Sequence, residues 1–128
     1  MLDVGAGCGE TAKFFLDNGA AKVVCIEPDD EPYEYLVRNS GLHPEVVPVK
    51  KLFEESDLYN IPHDFLKMDI EGYEMLFLPS LLRYDKPCSI ETHNKYVTDR
   101  FMEAGFKPSL PLKRNYQTQG DTPVLTRW

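Results

Sequence analysis

A glycine-rich stretch near the start of the chain, Asp3-Val4-Gly5-Ala6-Gly7-Cys8-Gly9-Glu10, constrains the possible fold more than any other feature. Its three glycines at alternate positions allow a sharp turn and a close approach to a ligand, because glycine has no Cβ and tolerates positive φ. The stretch follows a short apolar run and precedes a segment in which Ala12, Phe15 and Leu16 have helical spacing. The pattern therefore predicts a tight strand-to-helix turn that binds a ligand.

A second apolar run, Val23-Val24-Cys25-Ile26, reads as a buried parallel strand that delivers Glu27 to its carboxyl end. Open α/β sheets bind ligands at that edge, and a carboxylate there accepts hydrogen bonds from both hydroxyls of a ribose. Pro28 either offers a flat apolar face to adenine or simply ends the strand. Together these features predict a pocket for an adenosine-containing cofactor. Its expected contacts are Asp3, Gly5, Ala6, Gly7, Gly9, Glu27, Pro28 and, at the end of a later strand, Asp69.

The glycine spacing helps to choose the cofactor. Dinucleotide folds show G-x-G-x-x-G, with a pyrophosphate on the N-terminus of the following helix. Here the spacing is G-x-G-x-G, and Glu10 falls in the first turn of that helix, where it would repel a pyrophosphate. S-adenosylmethionine carries no phosphate, and its ammonium group favours nearby carboxylates. The spacing favours S-adenosylmethionine; a nicotinamide-dependent Rossmann oxidoreductase is the alternative enzyme.

Strands and helices are predicted to alternate along the chain. Strands are expected at residues 1–4, 22–26, 46–49, 65–69 and 88–91. Helices are expected at 10–18, 32–39, 73–79 and 96–104, and the third of them either stops near Pro79 or resumes through Leu82. Two extended segments, 106–112 and 122–128, flank a polar turn and predict an antiparallel hairpin. The fold class is therefore α/β: a Rossmann-like, mostly parallel sheet with helices on both faces and a C-terminal hairpin, typical of class I methyltransferases.

Length and charge narrow the function further. The 128 residues predict a single domain, and a net charge of -7 argues against a nucleic-acid partner or an anionic membrane surface. No apolar stretch is long enough to span a membrane, and three widely spaced cysteines suggest neither a disulfide framework nor a metal motif, so a cytoplasmic location is expected. The first strand is short, which predicts a domain that lacks the usual N-terminal helical segment and self-associates through an exposed apolar edge.

Four polar residues follow two predicted strands: Asp69, Glu71, Glu91 and His93. Their strand ends should lie at the cofactor edge of the sheet, which predicts either a general-base site or, with less support, a divalent-cation site; no metal ligands are assigned. His93 is the expected base, because neutral imidazole is available near pH 7. Lys67 needs a carboxylate partner, expected from Asp69, Glu71 or Glu91, and Glu74 is interpreted as a helix-start charge.

The run D-F-L-K-M-D-I-E-G-Y-E at residues 64–74 resembles the FkbM-type family of S-adenosylmethionine-dependent methyltransferases. The glycine loop, C-I-E-P-D at residues 25–29 and S-I-E-T-H at 89–93 extend the resemblance over nearly the whole chain. The resemblance implies a class I fold and methyl transfer to a hydroxyl oxygen of a sugar, lipid-linked or polyketide-like acceptor, with S-adenosylmethionine as donor. A cofactor-binding module without catalytic activity is the alternative outside the enzymes.

Overall fold

The computed structural model describes residues 1–110 and 123–128. Its contacts divide the chain into two compact units, Met1–Lys67 and Met68–Trp128. Among the described residues, the strands form a seven-stranded sheet in the order β3-β2-β1-β4-β5-β7-β6. In chain order they are β1 Leu2–Val4, β2 Val23–Ile26, β3 Val46–Val49, β4 Leu66–Met68, β5 Cys88–Glu91, β6 Lys107–Pro108 and β7 Val124–Arg127. The prediction of a single domain over residues 1–128 stays a prediction.

The first unit alternates strands with helices α1 (Glu10–Asp17) and α2 (Asp30–Ser40). Strands β1 and β2 pair in parallel, with Asp3 opposite Cys25, and β2 pairs in parallel with β3. The apolar residues that the sequence places on strands and helix faces form its core: Ala6, Ala12, Val23, Cys25, Leu36 and Val46. This parallel register carries the carboxyl ends of β1 and β2 to one edge, where the glycine loop begins.

A short helix in the first unit, α3 (Asp57–Asn60), has no counterpart in the sequence prediction. Four residues are too few to show helical periodicity. The turn is held instead by Asp57, which is buried and accepts hydrogen bonds from the backbone N–H of Glu54 at 2.8 Å and from Lys51 Nζ at 3.0 Å. A side-chain carboxylate thus satisfies the turn that precedes the helix.

In the second unit, helices α4 (Leu78–Arg83) and α5 (Lys95–Glu103) accompany β5, β6 and β7. Strand β7 pairs antiparallel with both β5 and β6, so the predicted C-terminal hairpin is confirmed where it falls within residues 1–110 and 123–128. The predicted turn at 117–121 lies outside the described residues. Leu81, Ile90, Phe101 and Leu125 are fully buried in this unit.

Pro79 lies in the first turn of a helix. The sequence predicts a helix from residue 73 that stops near this proline or resumes through Leu82; the chain forms a 3-10 helix over Glu74–Phe77 and then α4, which contains Pro79. Proline is favoured there because its missing N–H would have no intrahelical partner in any case and its φ suits a helix. The first helical segment therefore ends at Phe77, and the second begins at Leu78.

The predicted fold class, a Rossmann-like methyltransferase fold with a mostly parallel sheet and an antiparallel end, is confirmed. None of the helices among the described residues has the length and hydropathy needed to cross a membrane. A groove of about 720 Å³ opens in the first unit beside Met1, Phe15 and Phe65. The predicted self-association stays a prediction.

Candidate functional site

The glycine loop of the first unit connects β1 to α1 in a conformation that requires glycine. Gly5, Gly7 and Gly9 have φ values of 72°, 54° and 88°, all in the left-handed region. The backbone N–H groups of Gly5 and Ala6 both donate to the carbonyl of Ile26, at 3.0 and 3.1 Å. These two hydrogen bonds anchor the loop to the end of β2. The space beside Gly7 is open, because a Cβ added there would meet no atom within 4 Å.

Glu27 joins the glycine loop to the start of α2. Its carboxylate is buried, with 6% of the residue exposed. Oε2 accepts the backbone N–H of Gly7 at 2.8 Å, and Oε1 accepts that of Asp29 at 2.9 Å. An ionised carboxylate has about four acceptor positions, so each oxygen retains capacity for a further donor. Pro28, which lies between Glu27 and Asp29 in the chain, is half-buried.

An ion pair behind the loop was not predicted. Asp3 is fully buried, and its Oδ1 lies 3.3 Å from Nζ of Lys67, which also donates to the carbonyl of Gly5 at 3.2 Å. The sequence analysis considered Asp69, Glu71 and Glu91 as partners for Lys67. It did not consider Asp3, which is far from Lys67 in the chain but lies on the same sheet. In this arrangement, Asp3 acts on the loop through Lys67.

Two cysteines of this region, Cys8 and Cys25, differ in their exposure to solvent. The carbonyl of Cys8, which is half-exposed in the loop, accepts a hydrogen bond from Asn39 Nδ2 at 2.7 Å, which ties the loop to the end of α2. Cys25 lies fully buried on β2. Burial, together with the negative charge of Asp3, raises the pKa of the Cys25 thiol to about 12.

In the second unit, Asp69, Glu71 and His93 converge into a cluster. Nε2 of His93 lies 3.2 Å from Oδ1 of Asp69 and 3.6 Å from Oε2 of Glu71. One donor atom from each residue falls within 4.8 Å of the others. Asp69 follows β4 directly, Glu71 has a φ of 52°, and His93 lies between β5 and α5. The strand ends thus bring together three of the four residues that the sequence predicted.

Glu74 completes this cluster, and the sequence prediction missed its role. It is fully buried, and its Oε1 lies 2.8 Å from Nδ1 of His93 while also accepting the backbone N–H of Gly72 at 3.0 Å. The interpretation of Glu74 as no more than a helix-start charge is therefore incomplete. The signal that could have revealed it is its place in the K-x-D-x-E-G-x-E run, three residues after Glu71.

Glu91, the fourth predicted residue, ends β5 opposite Val124 of β7 and is half-buried. It is not one of the three residues whose donor atoms lie within 4.8 Å of one another. The structure therefore places Glu91 at the predicted strand end, while the acid–histidine cluster consists of Asp69, Glu71, His93 and Glu74.

Comparisons with known proteins agree on the fold. No family model matches the chain. No curated protein matches it significantly. Among solved structures, fibrillarin from Aeropyrum pernix with bound S-adenosyl-L-methionine has a TM-score of 0.71 at 14% identity, over 98% of this chain and 64% of that one. The ribosomal protein L11 methylase from Lactobacillus delbrueckii subsp. bulgaricus has a TM-score of 0.68 at 20% identity, over 98% and 66%.

A third similar structure is precorrin-6y C5,15-methyltransferase from Geobacter metallireducens, with a TM-score of 0.71 at 15% identity, over 100% of this chain and 78% of that one. The chain spans less than two thirds of the length of several such structures, such as fibrillarin. At these identities the likeness defines the fold: that of class I S-adenosylmethionine-dependent methyltransferases.

Proposed function

We propose that this chain binds S-adenosylmethionine at the glycine loop and transfers its methyl group to an acceptor. The observation that carries the proposal is the buried carboxylate of Glu27, which holds the amides of Gly7 and Asp29 and retains acceptor positions for the two ribose hydroxyls. The presence of S-adenosyl-L-methionine in the fibrillarin structure, which has the same fold, supports this choice of cofactor.

The nicotinamide alternative is disfavoured by Glu10. This exposed acid is the first residue of α1, so its carboxylate stands where a dinucleotide would seat its pyrophosphate. The carboxylate does not conflict with a sulfonium cofactor. S-adenosylhomocysteine should therefore raise the thermal unfolding temperature of the chain, and NADH should not.

Calorimetry with S-adenosylhomocysteine tests the role of Glu27. Glu27→Ala leaves one or two hydrogen bonds to a charged group unmade, worth about 1.5–3 kcal/mol, so affinity should fall about 10- to 150-fold. Glu34→Ala is the matched control, because it removes an exposed carboxylate from α2 of the same unit. The circular dichroism of both variants checks that they are folded. Equal affinity of wild type and Glu27→Ala would remove Glu27 from the site.

The acceptor proposed here is a hydroxyl on a sugar, lipid-linked or secondary-metabolite molecule, on the strength of the K-x-D-x-E-G-x-E run and its resemblance to the FkbM-type family. The acceptors named for similar folds are different: ribosomal protein L11 and precorrin-6y. Methyl transfer from labelled cofactor to candidate hydroxyl acceptors is the test. A methyl ether withstands alkali, whereas a methyl ester does not. Cofactor binding without any turnover would favour the inactive-module alternative.

Methylation of a hydroxyl also requires removal of its proton, and we assign this step to the region of Asp69, Glu71, Glu91 and His93. Nδ1 of His93 faces the Glu74 carboxylate, so Nε2 is the ring nitrogen that is available to the acceptor. If His93 is the base, His93→Ala should lower turnover by about 10²- to 10⁴-fold and spare the affinity for cofactor. A wild-type rate for that variant would remove His93 from the step.

A further inference from the structure

We propose that Asp69, Glu71 and His93 bind a divalent cation of the Mn²⁺ class, with Glu74 orienting the imidazole. This site lies wholly in the second unit, and its binding function is independent of the cofactor loop. In this arrangement Nε2 of His93 is a ligand, so His93 can act as the general base proposed above only when no cation is bound.

The tautomer of His93 gives the first argument. A carboxylate only accepts hydrogen bonds, so the 2.8 Å contact with Glu74 Oε1 assigns the ring proton of neutral His93 to Nδ1. The lone pair of Nε2 then faces the carboxylate oxygens of Asp69 and Glu71. Three acceptors that face one another require an electrophile between them. Histidines that bind metals characteristically donate their other ring N–H to a carboxylate, as His93 does here.

The spacing of the donor atoms gives the second argument. Ligands that lie about 2.1 Å from a cation, at right angles to one another, are about 3 Å apart. The distances from Nε2 to the oxygens of Asp69 and Glu71, 3.2 and 3.6 Å, are close to this value. Carboxylate oxygens with one imidazole suit Mn²⁺, whereas Mg²⁺ prefers oxygen alone. With three protein ligands, further positions remain for water or an acceptor oxygen.

The buried carboxylate of Glu74 is an independent argument. Glu74 is fully buried, and its Oε2 has no hydrogen-bond partner among residues 1–110 and 123–128. A buried carboxylate is costly unless positive charge lies nearby. Within the same residues, His93 is the only basic group paired with Glu71 or Glu74, so these two carboxylates share one imidazole. A divalent cation on Nε2 would supply the missing charge.

Mn²⁺ titration of the full chain, followed by the electron paramagnetic resonance signal of free Mn²⁺, tests the site. The wild type should bind a single ion. Glu71→Gln should weaken binding about tenfold or more; the Glu71 side chain is 85% exposed, so the fold should be unaffected. Glu103→Gln is the matched control: it neutralises another exposed carboxylate of the same unit and should bind Mn²⁺ as the wild type does.

Glu74→Gln tests the positioning role. It should weaken Mn²⁺ binding about 10- to 100-fold although Glu74 is not itself a ligand. Failure of the wild type to bind Mn²⁺, or equal binding by Glu71→Gln and Glu103→Gln, would overturn the proposal. A wild type that binds no ion and shows a proton on Nε2 of His93 by nitrogen NMR would assign a proton, not a metal, to the cluster. The titration uses no cofactor, so its failure is distinct from a failure of cofactor binding.

Discussion

The glycine loop of the first unit and the acid–histidine cluster of the second are built from different materials. The loop presents backbone amides and carbonyls, organised by three glycines and one buried carboxylate, Glu27. The cluster presents side chains only: three carboxylates around the imidazole of His93. The loop therefore depends on backbone conformation, whereas the cluster depends on the balance of charge.

This difference predicts different responses to substitution. A side chain added to the loop changes the space and the φ angles available, and it leaves the charge of the site unchanged. A carboxylate removed from the cluster changes what the imidazole faces and leaves the backbone in place. Pairs of matched variants can therefore test whether the two regions respond to substitution in these different ways.

The largest effect on stability is expected in the cluster. Glu74→Ala removes the acceptor of both His93 Nδ1 and the Gly72 N–H inside the fold. Loss of one partner of a buried pair costs about 3–5 kcal/mol, so urea unfolding should show a decrease of about that size. Glu71→Ala, at an exposed position of the same cluster, should change stability by about 0.5 kcal/mol or less. Equal losses of stability in the two variants would mean that burial does not make Glu74 more important to the fold than Glu71.

Alkylation of cysteines tests whether strand β2, which carries the buried Cys25, is closed to solvent. Burial raises the pKa of Cys25 from 9.0 to about 12, so its thiolate is about a thousandfold scarcer than that of an ordinary thiol at pH 8. Burial also raises the pKa of Cys88. Iodoacetamide should therefore modify Cys8 alone in the native chain, and all three cysteines in urea.

The sign of the pH dependence follows from the same pKa. A folded-state pKa above the unfolded value gives stability that is complete below about pH 9 and is lost as the pH rises toward 12. Protection of Cys25 should fail over that range. Rapid native labelling of Cys25 at pH 8 would show that the strand behind the loop is open.

The sequence predicted the loop well because its requirements are local. Positive φ at three positions demands glycine within a few residues, and an apolar run fixes where Glu27 emerges. The pair of Asp3 with Lys67 joins residues 64 positions apart, and only the sheet brings them together. A lysine in a central strand predicts a carboxylate partner, but the sequence alone does not identify the carboxylate that lies beside Lys67.

The cluster shows the same limit. Strand ends indicated Asp69 and His93, because carboxyl ends of parallel strands share an edge. Glu74 was predicted at the start of a helix, where acids are common. Its place in the K-x-D-x-E-G-x-E run distinguishes it from other helix-start acids, but that run does not specify that Glu74 is buried against an imidazole. The buried partner depends on tertiary packing, which residue spacing does not encode.

Within the loop, Gly9→Ala should cost more stability than Gly7→Ala. Both glycines have positive φ, which costs alanine about 1–2 kcal/mol. A Cβ at Gly9 would also lie 2.7 Å from Cδ1 of the fully buried Leu36, and overpacking adds about 1–3 kcal/mol. Space is open at Gly7, so its alanine variant should chiefly lower the affinity for S-adenosylhomocysteine. If Gly7→Ala unfolds more readily than Gly9→Ala, contact with Leu36 is not the reason that position 9 requires glycine.

The smallest effect is expected at an exposed ion pair, which shows what charge does without burial. Lys50 hydrogen-bonds to the Asp30 carboxylate in the first turn of α2 and holds the pKa of that carboxyl below its usual 3.8. Because the pKa is lowered on folding, any stabilisation is present above pH 3.8 and is lost as the pH falls through the folded value. An NMR titration of Asp30 should give the lowered pKa, and about 1 M salt, where the screening length is about 3 Å, should raise it. Lys50→Met should restore the ordinary pKa, whereas Lys13→Met, which breaks a similar exposed pair with Asp17, should not. An ordinary pKa for Asp30 with Lys50 in place would mean that this surface pair does not persist in solution. Among these charged groups, burial, as at Glu74, would then be what keeps a partner in position.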